Sequence, residues 1–169
     1  YAIAGAACSG ATMGAIDVAA TAGVPMVSYA STSPAITSYD DDGYLFRVVP
    51  SDAQQGQALA DVFAASGYEN PGVIAMTNDY GAGFHAAFLD NWDGTPCAEA
   101  TYADGTTDFS THVAAVLDNN CDSVVMITYA SDGAAIAEEL ATQGADVQIF
   151  GGDGIADVNF GSEFTDLSA

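Results

Sequence analysis

The chain has 169 residues, 23 acidic side chains and one basic one, Arg47, for a formal net charge of −22. Without lysine it has nothing to neutralise a phosphate backbone or an anionic bilayer, which excludes nucleic-acid binding and polybasic membrane association. Half of the residues are hydrophobic and only 14% are charged; this excludes a disordered acidic tail and predicts a packed domain whose acidity suits salt water, where charges are screened within roughly 8 Å.

Short β-rich runs alternate with Ala-rich stretches of helical length, which predicts βα units around parallel sheets. The expected order is strand 1–6, helix 10–22, strand 25–29, helix 52–65, strand 72–77, helix 81–92, strand 98–102, helix 108–117, strand 123–128, helix 132–142 and strand 147–150. Gly23, Gly67, Asn119 and Gly144 follow helices, at the place where a left-handed residue ends them. Ser51 and Gln54 have the spacing of a capping box. Residues 31–51 break the rhythm with Pro34, Pro50 and the run Asp40-Asp41-Asp42, and carry only a short strand over 44–48; they read as a connection between two units. Residues 1–50, with two βα units and the crossover, are too small to fold alone. Residues 51–169 are expected to form the ordered core, a nearly complete second unit. The opening YAIAGAACSG lacks the charged start of a secretory signal and reads as a strand already inside a fold, so the chain is expected to begin and end within a larger protein. No run of about 18 apolar residues suits a membrane span.

In a doubly wound sheet, ligands bind beyond the carboxyl ends of the strands. Residues there include Ser9, then Ala30, Ser31 and Thr32, then Tyr80, Tyr129 and Asp153. Ser9 and Thr32 offer hydroxyls and helix-start amides to a carboxylate. Asp153, in the run GGDG, could hold an ammonium, and Tyr80 and Tyr129 supply flat walls. Together these describe an α-amino acid. Each also has a plainer use: caps for Ser9 and Thr32, a turn for Asp153, interior packing for the tyrosines.

Catalysis is not expected. No GxSxG elbow, GxGxxG loop or Walker lysine is present. His85 and His112 lie mid-helix, in solvated or interfacial positions. Two histidines and three cysteines far from CxxC spacing make no zinc site, and the triple aspartate has no calcium-ligand spacing, so neither metal nor cofactor is expected.

The runs CSGAT, GVPMVSYASTSPAIT, FRVVPSDAQQGQALAD, DYGAGF, TDFSTHVAAVL and FGGDGIAD resemble the branched-chain amino acid (Leu/Ile/Val) binding proteins of ABC importers, over essentially the whole chain. The resemblance implies an α/β type I periplasmic binding fold, a two-lobed Venus flytrap of which this chain holds part of lobe one and most of lobe two. It further implies an exported, periplasmic or extracellular protein that serves an ABC permease. By position, Ser9 resembles the carboxylate anchor and Ala30 the carbonyl that takes the ammonium. Thr32 resembles the contact to the ligand head, and Tyr80 and Tyr129 the closing aromatics. Asp153 stands where the family has a glutamate, a departure that puts the Leu/Ile/Val preference in question. An amide or urea sensor and the ligand domain of a signalling receptor share the fold; the flanking sequence separates them from an importer subunit.

Cys97 and Cys121 each lead into a strand of the second sheet, so both occupy the rim opposite the ligand, and a disulfide between them is plausible if the loops lean inward. The resemblance implies that Cys8 pairs with a cysteine upstream of this chain.

Overall fold

The computed structural model describes residues 1–162; the last seven positions of the expected core lie outside the described residues. Its strands form two parallel sheets. The first holds β1 (Ile3–Ala4), β2 (Met26–Ser28) and β3 (Leu45–Arg47), in that spatial order. The second holds β4 (Pro71–Met76), β5 (Ala98–Tyr102), β6 (Ser123–Ile127) and β7 (Gln148–Gly151), in the order β5-β4-β6-β7. The helices are α1 (Ser9–Thr21), α2 (Asp52–Ser66), α3 (Asp79–Asn91), α4 (Ser110–Asp118), α5 (Ala130–Thr142) and α6 (Val158–Ser162).

β4 and β6 are buried along their whole length, as central strands covered on both faces must be. Alternation sorts their residues. Ile74, Met76, Val124 and Met126 pack on one face with Val113, Val116, Ile136 and Leu140, from α4 and α5. Val73, Ala75, Val125 and Ile127 pack on the other with Leu59, Phe63, Phe84 and Phe88, from α2 and α3. The result is a three-layer sandwich.

The first sheet is covered on one side only. Met26, Leu45 and Ile16 form a small core there with Ile36, while Val27 and Phe46, paired in register on the opposite face, are 37% and 54% exposed.

The short strand expected over 44–48 is β3, and it pairs in parallel with β2 through Met26–Leu45, Val27–Phe46 and Ser28–Arg47. It therefore belongs to the first sheet rather than to a bare connection. Asp41 and Asp42 form a turn, in which Asp41 Oδ1 accepts the Gly43 N–H at 2.7 Å and Asp42 takes the left-handed region. Ser51 caps α2 by accepting the Ala53 N–H at 3.2 Å; Gln54 lines a cavity instead of completing a capping box. Asn119 ends α4 without a left-handed turn, and the next residue, Asn120, supplies it. His85 is packed rather than solvated, with Nε2 3.2 Å from Glu99 Oε2, and burial lowers its pKa.

Candidate ligand-binding site

The loops at the carboxyl ends of the first sheet are stitched by small hydroxyls. Ser28 Oγ donates to Ala6 O at 2.6 Å and accepts the Ser31 N–H at 3.0 Å. Ser31 Oγ donates to Ala7 O at 2.9 Å and lies 2.8 Å from Thr12 Oγ1. Ser9 Oγ accepts the Ser33 N–H at 3.2 Å. Both Ser9 and Ser31 are buried and hold these loops together. No side chain caps the start of α1, and Asp79 lies beside that turn, close enough that a Cβ on Gly10 would sit 3.0 Å from its Oδ2.

Arg47 is spent on the same loop. Its Nη1 donates to Thr32 O at 3.1 Å and Ser33 O at 2.9 Å, and its Nη2 to Thr37 Oγ1. The Asp52 N–H also donates to Thr32 O, at 2.8 Å. The chain's one strong cation thus fixes a backbone turn, and Thr32 is held with its buried Oγ1 making no geometrically complete hydrogen bond.

A cavity of about 460 Å³ opens beside this turn, lined by Ala30, Thr32, Pro50, Gln54, Gln55 and Asp153, among others. The structure therefore brings Ala30 and Thr32 of the first segment together with Asp153 of the second. Asp153 begins the short turn Asp153–Ile155 after β7. Its Oδ1 accepts from Tyr80 Oη at 2.9 Å and from Gln55 Nε2 at 2.9 Å. The Gly154 N–H donates back to Tyr80 Oη at 3.1 Å.

The flanking glycines are required by close approach: a Cβ at Gly152 would strike the Phe84 ring and Gln55 Oε1, and one at Gly154 would strike Thr128 O and Tyr80 Oη. Tyr80 is buried and acts as the pillar under Asp153. Burial, and then the Asp153 charge, push its phenol far above the ordinary range. Tyr129 stacks on it, centroids 5.2 Å apart and planes 11° apart. Burial raises the Tyr129 phenol too, helped by its contact with Cys8.

Gln55 and Asp52 carry no signal in the sequence that marks them as site residues. The Asp52 carboxyl is wholly buried, with Oδ1 accepting from Gln55 Nε2 at 2.7 Å. Burial pushes its pKa up from 3.8 to about 6; the nearby Thr32 hydroxyl, Gln55 and Arg47 oppose this, and the Asp153 charge adds to it. Since the folded value is the higher, the folded state keeps a proton that the unfolded chain releases. The associated stability is full below about pH 3.8 and is lost as pH rises through about 6. Asp52→Asn, which removes the buried charge and keeps an acceptor, should stabilise the protein at pH 8 by about 2 kcal/mol. The gain should vanish below about pH 4, and urea titrations of both proteins at the two pH values measure it.

Two parallel sheets flanked by helices, with polar groups from separate segments meeting at strand carboxyl ends, define the type I periplasmic binding fold. The chain belongs to the receptor family ligand binding region, which matches residues 1–150. It is similar to the Leu/Ile/Val-binding protein of Citrobacter freundii, 30% identical over 161 residues that cover 90% of this chain and 42% of that protein. Metabotropic glutamate receptor 6 of Oryctolagus cuniculus is 32% identical over 88 residues, 52% of this chain and 10% of the receptor. Among solved structures, the branched-chain amino acid transporter substrate binding protein LivJ from Streptococcus pneumoniae, in complex with isoleucine, is 30% identical. It superposes with a TM-score of 0.80, over 90% of this chain and 44% of that one. An ABC transporter substrate-binding protein from Desulfitobacterium hafniense is 25% identical, with a TM-score of 0.70, over 89% and 46%. The chain spans less than half the length of these binding proteins. No helix among the described residues is long and apolar enough to cross a membrane.

Proposed function

We propose that the protein containing this chain is the extracytoplasmic solute-binding subunit of an ABC importer, which holds a small aliphatic α-amino acid between two lobes and delivers it to a transmembrane permease. Residues 1–50 belong to the first lobe and the chain from residue 51 onward to the second. The observation that carries this reading is the meeting, in one cavity, of Ala30 and Thr32 with the Asp153 carboxylate. The ligand ammonium lies between Asp153, the Ala30 carbonyl and Thr32. Its carboxylate lies toward the uncapped start of α1 at Ser9, where helix-end amides favour an anion. Tyr80 and Tyr129, stacked on each other, stand behind Asp153, and Tyr80 supports its carboxylate.

Neither His85 nor His112 lines the cavity, and its polar groups suit binding a zwitterion rather than catalysis; no cofactor or metal enters the reading. Export is supported by the Cys97–Cys121 disulfide, since such bridges persist in oxidising compartments.

Calorimetry of the full-length protein against glycine, alanine, leucine, isoleucine, valine, glutamate and simple amides tests the proposal. Binding of at least one aliphatic amino acid is expected, and a blank for all five overturns it. The similarity to metabotropic glutamate receptor 6 favours a second reading, the ligand region of a signalling receptor. That reading requires a membrane-spanning helix after the second lobe and selects glutamate in the same titration.

A further inference from the structure

Gln55, in the first turn of α2, reaches Asp153 across 98 residues of sequence. Its Nε2 donates to Asp52 Oδ1 at 2.7 Å and to Asp153 Oδ1 at 2.9 Å, and its Oε1 accepts the Asp153 backbone N–H at 2.6 Å. A primary amide has two N–H donors and one carbonyl, so every polar group of Gln55 is engaged. The network also fixes the orientation of the amide, because a flip would aim the carbonyl at two carboxylates and the NH2 at an N–H.

No other residue type does this. Glutamate would crowd a third carboxyl against Asp52 and Asp153, and asparagine ends one methylene short. The absence of a side chain at Gly152 clears the approach, since a Cβ there would lie 2.8 Å from Gln55 Oε1. Gln55 thus holds Asp153 by main chain and side chain at once, and the buried Asp52 holds Gln55. A carboxylate set in place before its cationic partner arrives loses less freedom on binding, and so binds more tightly.

We propose that Gln55 is the positioning residue of the ammonium site, presetting the Asp153 carboxylate for the charged head of the ligand. This rests on the reading of Asp153 as the ammonium partner. The test uses the full-length protein, the variants Gln55→Met and Gln55→Asn, and whichever aliphatic amino acid the parent binds. The matching 2-hydroxy acid, with a hydroxyl in place of the ammonium, is measured by competition. In Gln55→Met the amino acid should bind about tenfold more weakly while the hydroxy acid changes less than about twofold, because the lost hydrogen bonds serve a charged pair.

Gln55→Asn keeps a polar amide and should lose affinity in the same selective way even if the methionine variant folds poorly. Amino-acid affinity unchanged in both variants overturns the proposal. So does an equal loss for both ligands, which is what a merely loosened cleft would give. A parent that binds no aliphatic amino acid defeats the ammonium reading itself, whereas a binding parent with indifferent variants removes only the role of Gln55.

Discussion

Asp153→Ala should cost the full-length protein about 3–5 kcal/mol of amino-acid affinity, the range found when one partner of a buried ion pair is removed. Among the described residues, both side-chain donors to this carboxylate, Tyr80 and Gln55, go to Oδ1, which leaves Oδ2 for the cleft. These two neutral donors orient the carboxylate without neutralising it. The chain's single arginine is engaged with Thr32, Ser33 and Thr37, so no strong cation of this chain competes for the site. With Asp153 gone, a ligand ammonium enclosed between the lobes keeps only neutral partners. Asp153→Asn, which retains an acceptor at the same place, should lose less. Calorimetric titration of both variants beside the parent measures the effect, and an alanine variant that binds as tightly as the parent would falsify the assignment.

The second sheet is legible in the sequence because its signals are redundant. Each of β4 to β7 is a short β-rich segment in an alternating βα pattern, and the core alternation of β4 and β6 follows from burial on both faces. The first sheet is harder to read. β3 is three residues long and sits among prolines, aspartates and a turn, so the local signal favours a connection. The hidden half of the site has the same cause. Ligand-binding groups gather past the carboxyl ends of strands, and past β3 the chain runs through Pro50 and Ser51 into Asp52 and Gln55. The strand over 44–48 is expected, but with residues 31–51 read as a connection rather than as part of the first sheet, nothing marks these two residues as neighbours of a strand end.

Ser9 and Ser31 illustrate a different limit. Their position at strand ends is legible, but a hydroxyl can stitch loops as readily as it can meet a ligand, and only the packing of the loops decides which partners it finds.

Removing the disulfide by Cys97→Ser together with Cys121→Ser should lower stability by about 3 kcal/mol, because the bridge closes a loop spanning 24 residues and restricts the unfolded chain. The strand order makes this an unusual crossing. Cys97 leads into β5 and Cys121 into β6, yet β4 runs between them, so the two loops must lean over its first residues to bring their Cα atoms within 5.8 Å. The start of β4 accommodates the crossing in two ways. The Cys97 N–H donates to Pro71 O at 3.0 Å, which draws that loop across. Gly72 has no side chain, where a Cβ would meet Val116 and come within 3.2 Å of Cys121 Sγ.

The bridge therefore ties both neighbours of β4 together at the end of the sheet opposite the cavity, and its loss should leave ligand affinity nearly unchanged while stability falls. Urea unfolding of the double variant, with calorimetry of the same sample, separates the two quantities. Alkylation without reductant should spare Cys97 and Cys121. Labelling of Cys97 and Cys121 would refute the bridge, and a stability loss below about 1 kcal/mol would mean that β4 already holds the two loops in register without it.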